Sequence, residues 1–97
     1  MRLILHPAVR TDIARIMEYY DRIATTELAD EFYQELRHFM QAAAERPEAF
    51  SIRTYNLRRI NLRRFPYHFL FRIVGDSVRI LVVRHHSRHP SLGTGRR

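Results

Sequence analysis

Histidines and an arginine cluster where the last predicted strand ends. His85, His86 and His89 surround Arg88, and His68 lies across a predicted hairpin from them. Imidazole can give or take a proton near neutral pH, and a neighbouring arginine can hold a phosphate and stabilise developing charge. These residue types could cleave RNA through its 2′-hydroxyl. His68, His85, His86 and Arg88 are therefore candidate catalytic residues, and the alternative is a polar strand end whose histidines are satisfied by backbone groups.

The same histidines are weak candidates for a metal site. No Cys, Asp or Glu lies near His85, His86 and His89 in the sequence to complete a ligand set. Glycine-rich phosphate loops are also absent from the sequence. We therefore expect neither a metal ion nor a cofactor.

Two further arginines, Arg72 and Arg79, are predicted to face each other across one hairpin. Like charges directly opposite on antiparallel strands destabilise the pair unless water or an anion separates them. The pair indicates either a site for a phosphate or carboxylate, or two hydrated and screened side chains.

Positive charge is concentrated in the second half of the chain. The net charge is +7, and all 17 basic residues other than histidine are arginine. Residues 1–50 hold six arginines against nine acidic residues, whereas residues 51–97 hold eleven against one. In that second half a predicted binding patch flanks one strand: Arg58, Arg59, Arg63 and Arg64. Such a directional field favours an anionic partner, either nucleic acid or an acidic peptide, and a solvated face without a specific ligand is the alternative.

Hydrophobic periodicity predicts the elements that position these residues. Leu3 and Leu5 indicate a short N-terminal strand. Apolar residues then recur at steps of three and four over residues 7–23, which predicts a helix that starts at Pro7. A second helix is predicted from the Thr25-Thr26 cap to Pro47, and the short link between the helices implies an antiparallel hairpin.

After a connector at residues 48–56 the period changes to two, which predicts strands at residues 58–62, 67–74 and 77–84. A Gly75-Asp76 turn sets the register of the last hairpin, so that Phe71 faces Ile80 and His68 faces Val83. One face is predicted to carry the helices: Phe69, Phe71, Ile73, Val78, Ile80 and Val82. The other face mixes His68, Arg72 and Arg79 with Leu70, Leu81 and Val83, and it is the predicted surface for a partner.

Length and composition limit the remaining possibilities. A chain of 97 residues makes one domain, and its longest apolar runs are too short to span a membrane. Because there is no cysteine and no secretory signal pattern, we expect a cytoplasmic protein without a thiol nucleophile. Residues 90–97 are predicted to form a flexible tail. The expected fold class is α+β, with a strand, a helical hairpin and a three-stranded antiparallel sheet packed on the helices.

This order of elements on a small basic chain resembles the RelE/ParE toxin superfamily. The resemblance covers about residues 2–90 and is carried by several short stretches. These are His6-Pro7-Ala8 with Asp12-Ile13 and Tyr19-Tyr20, Leu57-Arg58-Arg59, Arg64-Phe65-Pro66-Tyr67, and Ile80-Leu81-Val82-Val83 followed by His85-His86-Ser87-Arg88-His89-Pro90. Many relatives have Asp where this chain has His89.

The resemblance implies the toxin of a type II toxin–antitoxin system. RelE-like members cut mRNA, usually in the ribosome, with arginines and a lysine, histidine or tyrosine, whereas ParE-like members poison DNA gyrase. Arg88 matches an arginine important in the nucleases, and His68 lies where they have another basic residue. The chain, however, has no lysine, and no tyrosine follows Arg88. With the Phe65-Pro66-Tyr67 segment, these absences favour the ParE side.

A partner is also implied by the resemblance. An acidic, partly disordered antitoxin segment is expected over the open sheet face or around the helical hairpin, in a hetero-oligomer. The alternatives to a gyrase poison are a ribosome-associated mRNA endonuclease that uses the His and Arg residues, and an inactive member of the family that only binds.

Overall fold

The computed structural model describes all 97 residues and contains five strands, two long helices and one short 3-10 turn. In chain order they are β1 (Arg2–Leu5), α1 (Pro7–Ile23), α2 (Thr26–Glu45), the 3-10 turn (Pro47–Ala49), β2 (Ile52–Thr54), β3 (Leu57–Asn61), β4 (Tyr67–Val74) and β5 (Ser77–His85). The strands form one sheet in the order β1-β5-β4-β3-β2. Only β1 and β5 pair in parallel. The predicted α+β architecture is confirmed.

Both helices begin at caps that the sequence supplies. Pro7 opens α1, and the Nδ1 atom of His6 accepts a hydrogen bond of 3.0 Å from the backbone N–H of Ala8. Thr25 caps α2, because its hydroxyl accepts from the N–H of Leu28 at 3.0 Å. Only Ala24 and Thr25 separate the two helices, which pack against each other as the antiparallel hairpin that the short link predicts.

The main core lies between this hairpin and one face of the sheet. Its members come from both layers, among them Val9, Ile16, Phe32, Leu36, Phe69, Phe71, Val78 and Ile80. Phe32 of α2 meets Phe65 and Tyr67 edge to face, with ring centroids 5.5 and 5.4 Å apart. This core holds one face of β4 and β5 rigidly, so the opposite face is the one whose polar residues can form a site.

A β-bulge at Leu81 corrects the predicted register of the last hairpin. From the turn to the Phe71–Ile80 pair the register is as predicted, but Leu70 then pairs with Val82 and His68 with Arg84. The extra residue lies on the strand opposite Leu70, so side chains beyond it change faces. The geometry of the turn contains no information about a bulge. The pairing predicted for β5 beyond Leu81 is therefore wrong by one residue.

The bulge also changes which residues form the predicted docking surface. Val83 belongs to the main core, whereas Val82 packs on the other face with Leu57, Leu70 and Leu81. Leu70 and Leu81 are fully buried and Val83 is 3% exposed. Leu70 and Leu81 therefore lie buried on the open face and Val83 lies in the main core, so these three residues do not supply the accessible apolar part of the predicted partner surface.

β2 was not predicted, because it is only three residues long and lies inside the connector. It joins β3 through Tyr55 and Asn56, whose φ angles are 50° and 63°. Two consecutive residues in the left-handed region are typical of the tight turn that suits a hairpin. β2 thus adds an edge strand that carries Arg53 to the open face.

The C-terminal segment, residues 86–97, packs against the sheet in a series of turns. Gly93 has a φ of +81°, and a Cβ placed on it would lie 2.5 Å from the Cβ of Val82. Arg96 donates to Asp12 of α1 at 2.7 Å and to the carbonyl of Leu81 at 3.0 Å. These contacts cover part of the open face, and the mobility of residues 90–97 stays a prediction. Neither helix has the length and apolar composition needed to cross a membrane.

Candidate functional site

A basic recess lies on the open face of the sheet, between the β2–β3 hairpin and the C-terminal segment. Its volume is about 450 Å³. Nine residues line it: Arg53, Thr54, Arg59, Asn61, His68, Arg84, His86, Arg88 and Pro90. None of them is acidic, and none has an aliphatic side chain other than the proline ring. We call this site the basic recess.

The bulge creates the centre of the recess. Because it shifts the outer part of β5 by one residue, Arg84 pairs with His68, and His86 then falls on the same face. His68 and Arg84 are buried, with 1% and 4% exposure, whereas His86 is exposed above them. In the register predicted from the turn, Val83 would face His68 and the recess would not form.

A directed chain of hydrogen bonds links these residues. Arg84 Nε donates to His68 Nε2 at 2.8 Å, so the neutral His68 ring carries its proton on Nδ1. That Nδ1 lies 2.9 Å from Nδ1 of His86, which therefore accepts, and Arg59 Nη2 approaches the same atom at 3.4 Å. The two imidazole rings stack with 10° between their planes. Since an arginine can only donate, it sets the tautomer of both histidines.

The electrostatics of the recess keep these histidines neutral. Burial, and then the charges of Arg59 and Arg84, lower the pKa of His68 from its usual 6.5 to about 3. Burial and the Arg59 charge also lower the pKa of His86. A proton on His86 Nδ1 would face the N–H of His68. The hydrogen-bond geometry and the nearby positive charges therefore both oppose protonation of His86 at Nδ1.

Arg84 also anchors the C-terminal segment. Its Nη1 lies 2.8 Å from the carbonyl oxygens of Pro90 and Leu92 and 3.4 Å from that of His89. The buried guanidinium thus joins β5, β4 and the tail, and it satisfies carbonyls that have no strand partner.

We expect Arg84→Met to lower the free energy of unfolding by about 2–3 kcal/mol, because the tail carbonyls and His68 lose their shared donor. Urea unfolding gives the free energy, and amide hydrogen exchange shows whether residues 89–97 lose protection. The matched control is Arg88→Met, since Arg88 is an exposed arginine of the same recess that makes no side-chain hydrogen bond to the protein. Equal stability of the two variants would contradict the anchoring role.

His85 lies on the other side of β5, away from His68. Its ring meets Tyr67 edge to face at 5.1 Å, and its Nδ1 accepts from the N–H of Ser87 at 3.0 Å. It lines a second recess of about 200 Å³ together with Arg15, Tyr19 and other residues. The four catalytic candidates are thus divided between two recesses: His68 and His86 line the basic recess, His85 lines the second one, and Arg88 lines both.

The predicted arginine patch is divided among several environments. Arg59 enters the basic recess, whereas Arg58 points the other way and donates to the carbonyl of Phe50 at 2.6 Å. Arg63 and Arg64 are exposed beyond β3, where their backbone N–H groups bind Glu35 of α2 and the Arg64 side chain lies 3.5 Å from Glu31. Only Arg59 of this patch belongs to the recess.

The opposed pair Arg72 and Arg79 is confirmed by the observed register. Both side chains are half-buried, and each Nε atom is buried without a hydrogen-bond partner. The pair lies on the same face as the recess but lines none of it.

Sequence reasoning missed Arg53, Asn61 and Arg84. Arg53 depends on β2, Asn61 binds Arg59 Nε at 2.8 Å, and Arg84 needs the bulge to reach His68. Arg84 directly follows the apolar run Ile80–Val83, and this position indicates that its side chain could be buried. A buried charge requires hydrogen-bond partners, so Arg84 could have been considered as a site residue. No group of three or more His, Cys, Asp or Glu residues is placed to hold a metal ion.

Comparison with known proteins agrees with this architecture. A family model described as the ParE toxin of the type II toxin–antitoxin system parDE matches residues 3–90. Two relatives, each called Toxin ParE2, come from Mycobacterium tuberculosis strains CDC 1551 / Oshkosh and ATCC 25618 / H37Rv. Each is 31% identical over 94 residues, which cover 93% of this chain and 86% of the relative.

A solved structure shares the fold. It is described as the chromosomal ParDE TA system from P. aeruginosa, with a TM-score of 0.79 and 20% identity over 88% of this chain and 95% of that one. The match of the family model over most of the chain, together with the two relatives, identifies the family. The chain belongs to the ParE toxins of type II toxin–antitoxin systems.

Proposed function

We propose that this toxin inhibits growth by poisoning DNA gyrase and that a cognate antitoxin neutralises it. Family membership supports the general class. The observation that carries the choice of target is the state of His68 and His86, which are held neutral and hydrogen-bonded to each other. A poison that acts by binding needs no proton transfer, and this site is poorly arranged to provide it.

A nuclease needs a proton acceptor, a proton donor and a phosphate clamp around one scissile bond. His68 cannot take a proton on Nε2, because that atom already accepts from Arg84. His86 is the one exposed histidine of the recess, and no second acid or base lines it. The recess therefore contains the clamp but lacks the pair of proton-transfer groups.

The antitoxin proposal rests on charge. The arginines of the recess, with Arg72 and Arg79, leave the open sheet face positive, whereas nine of the ten acidic residues lie in residues 1–50 and none lines the recess. An acidic antitoxin segment is attracted to the part of this face around Arg72 and Arg79, outside the basic recess, and the P. aeruginosa structure is described as a ParDE system. The neutralised toxin is then a hetero-oligomer.

We expect the double change His85→Ala with His86→Ala to leave toxicity largely intact, and Arg88→Glu to reduce it. The histidines are not needed for binding gyrase, whereas reversing an exposed arginine weakens attraction to an anionic target complex. Growth after induction without the antitoxin gene measures both effects, and the immunoblot level of each variant serves as the control.

Purified gyrase and plasmid DNA provide the direct test. Inhibited supercoiling or accumulated cleaved plasmid, with DNA-damage signalling and filamentous cells, is the expected result. The nuclease alternative rests on the exposed His86 beside Arg59 and Arg88. A nuclease would cause rapid loss of translation and cleaved mRNA. The histidine double variant would then be harmless, because a general acid or base contributes about 10²–10⁴ in rate. That set of results would replace the gyrase proposal.

A further inference from the structure

The basic recess has the composition of an anion site, whatever the target of the toxin. Four separate segments each contribute one guanidinium: Arg53 from β2, Arg59 from β3, Arg84 from β5 and Arg88 from the C-terminal segment. No carboxylate lines the recess, and none of the four arginines forms a salt bridge. The chain therefore assembles four positive charges around one volume without a counter-charge of its own.

Two of these arginines keep an unused donor. Arg84 is 96% buried; its Nε and Nη1 donate to protein groups, but its Nη2 has no acceptor in the protein. Arg59 uses Nε for Asn61 and directs Nη2 at His86, which leaves Nη1 without a protein acceptor. Anchoring by the protein reduces the rotamer freedom that an incoming anion would otherwise have to freeze.

The four guanidinium groups of the recess repel one another. Burial, followed by the charge of Arg53, lowers the pKa of Arg59, and burial, followed by the charge of Arg59, lowers that of Arg84. A bound anion would remove this repulsion. The recess is thus held by the fold in a state that binding of negative charge would stabilise.

The shape of the donor set selects among anions. A carboxylate is planar, whereas the two charged oxygens of a phosphodiester project from a tetrahedral phosphorus and successive phosphodiesters of one strand offer further oxygens. Donors that converge from four segments suit the second arrangement. The lining also offers no aliphatic pocket for the apolar side chains of an amphipathic peptide. We propose that the basic recess binds a phosphodiester of a nucleic-acid backbone and holds it without cleavage.

This proposal goes beyond the choice of target and does not depend on gyrase. In the toxin it supplies a direct contact to nucleic acid, in addition to any contact with a protein target. The neutral His68–His86 pair explains why a bound phosphodiester stays intact.

Fluorescence anisotropy with the full chain tests the proposal, using a labelled single-stranded oligodeoxythymidylate and a duplex of the same length. We expect Arg59→Gln with Arg88→Gln to weaken binding at least about tenfold, because two charge-assisted contacts are lost. For the single strand, the slope of log K against log salt should fall by about 1.4, since each phosphate contact contributes about 0.7.

The matched control is Arg10→Gln with Arg22→Gln, which removes the same charge from exposed positions of α1. This pair should change affinity by less than about threefold. Thermal unfolding shows whether the variants are folded. Arg88→Gln alone, at an exposed residue, keeps the test valid should the double variant unfold, and its slope should fall by about 0.7.

The relative affinities of the two oligonucleotides identify the source of the phosphodiester. Equal loss in the recess and control variants, or no binding of either oligonucleotide, would overturn the proposal. So would polyglutamate of the same charge competing as well as the oligonucleotide, because the site would then take carboxylates. These experiments contain no gyrase. A negative result would therefore overturn the phosphodiester proposal without affecting the gyrase proposal, which the supercoiling assay tests separately.

Discussion

Phe71→Ala is expected to lower the free energy of unfolding by about 3–5 kcal/mol. Phe71 is fully buried in the main core, where its ring meets Phe50 and Phe69 with centroids 6.2 Å apart in each case. It also pairs with Ile80 in the part of the hairpin next to the bulge. Removing the ring leaves a cavity between β4 and the helices that neighbouring rigid strands cannot fill.

Urea unfolding at neutral pH measures this loss. Val74→Ala is the matched control, because Val74 lies on the same strand but is 50% exposed. Its cost should stay within about 0.5 kcal/mol. A loss below about 1 kcal/mol for Phe71→Ala would mean that the two faces of β4 are exchanged.

Acid is expected to destabilise the protein through His68. Its folded-state pKa of about 3 lies below the ordinary value of 6.5, so between these values the unfolded chain binds a proton that the folded chain does not. The contribution is complete above pH 6.5 and is lost as the pH falls toward 3, at about 1.4 kcal/mol per pH unit. The lowered pKa of His86 acts in the same direction.

The variant His68→Gln isolates this contribution. Its amide can accept from Arg84 and donate toward His86 but does not titrate. We expect it to be less stable than the parent at pH 7, because the ring packing is lost, and the difference to shrink as the pH falls to 4. The control is Val74→Ala, which removes no titratable group from an exposed position and should leave the pH dependence of the parent unchanged. Parallel curves for parent and His68→Gln would show that His68 titrates normally in the folded chain.

Elements whose signals are local can be predicted from the sequence. The limits of α1 follow from Pro7 and the apolar period, and α2 ends before Pro47. The Gly75-Asp76 turn determined the inner register, including the Phe71–Ile80 and Arg72–Arg79 pairs. Each of these features depends on contacts within a few residues, so propensity and period are sufficient to predict it.

Part of the basic recess can also be predicted from the sequence. Residue type and position near a strand end indicate possible chemistry for His68, His86, Arg59 and Arg88. Alternation along the strand predicts that the adjacent residues His85 and His86 lie on opposite faces. Which of the two shares the face of His68 could not be predicted, because the bulge decides it.

The register beyond Leu81 and the order of the strands depend on contacts between segments that are distant along the chain. The bulge exchanges Val82 and Val83 between faces and brings Arg84 to His68. Beyond the end of β1, Asp12 of α1 accepts from the N–H of Val83 at 3.1 Å, and Arg96 donates to the carbonyl of Leu81. These partners lie 71 and 15 residues away along the chain. A local pattern cannot contain them, because the backbone groups of a bulge are satisfied only by segments that the finished fold brings alongside.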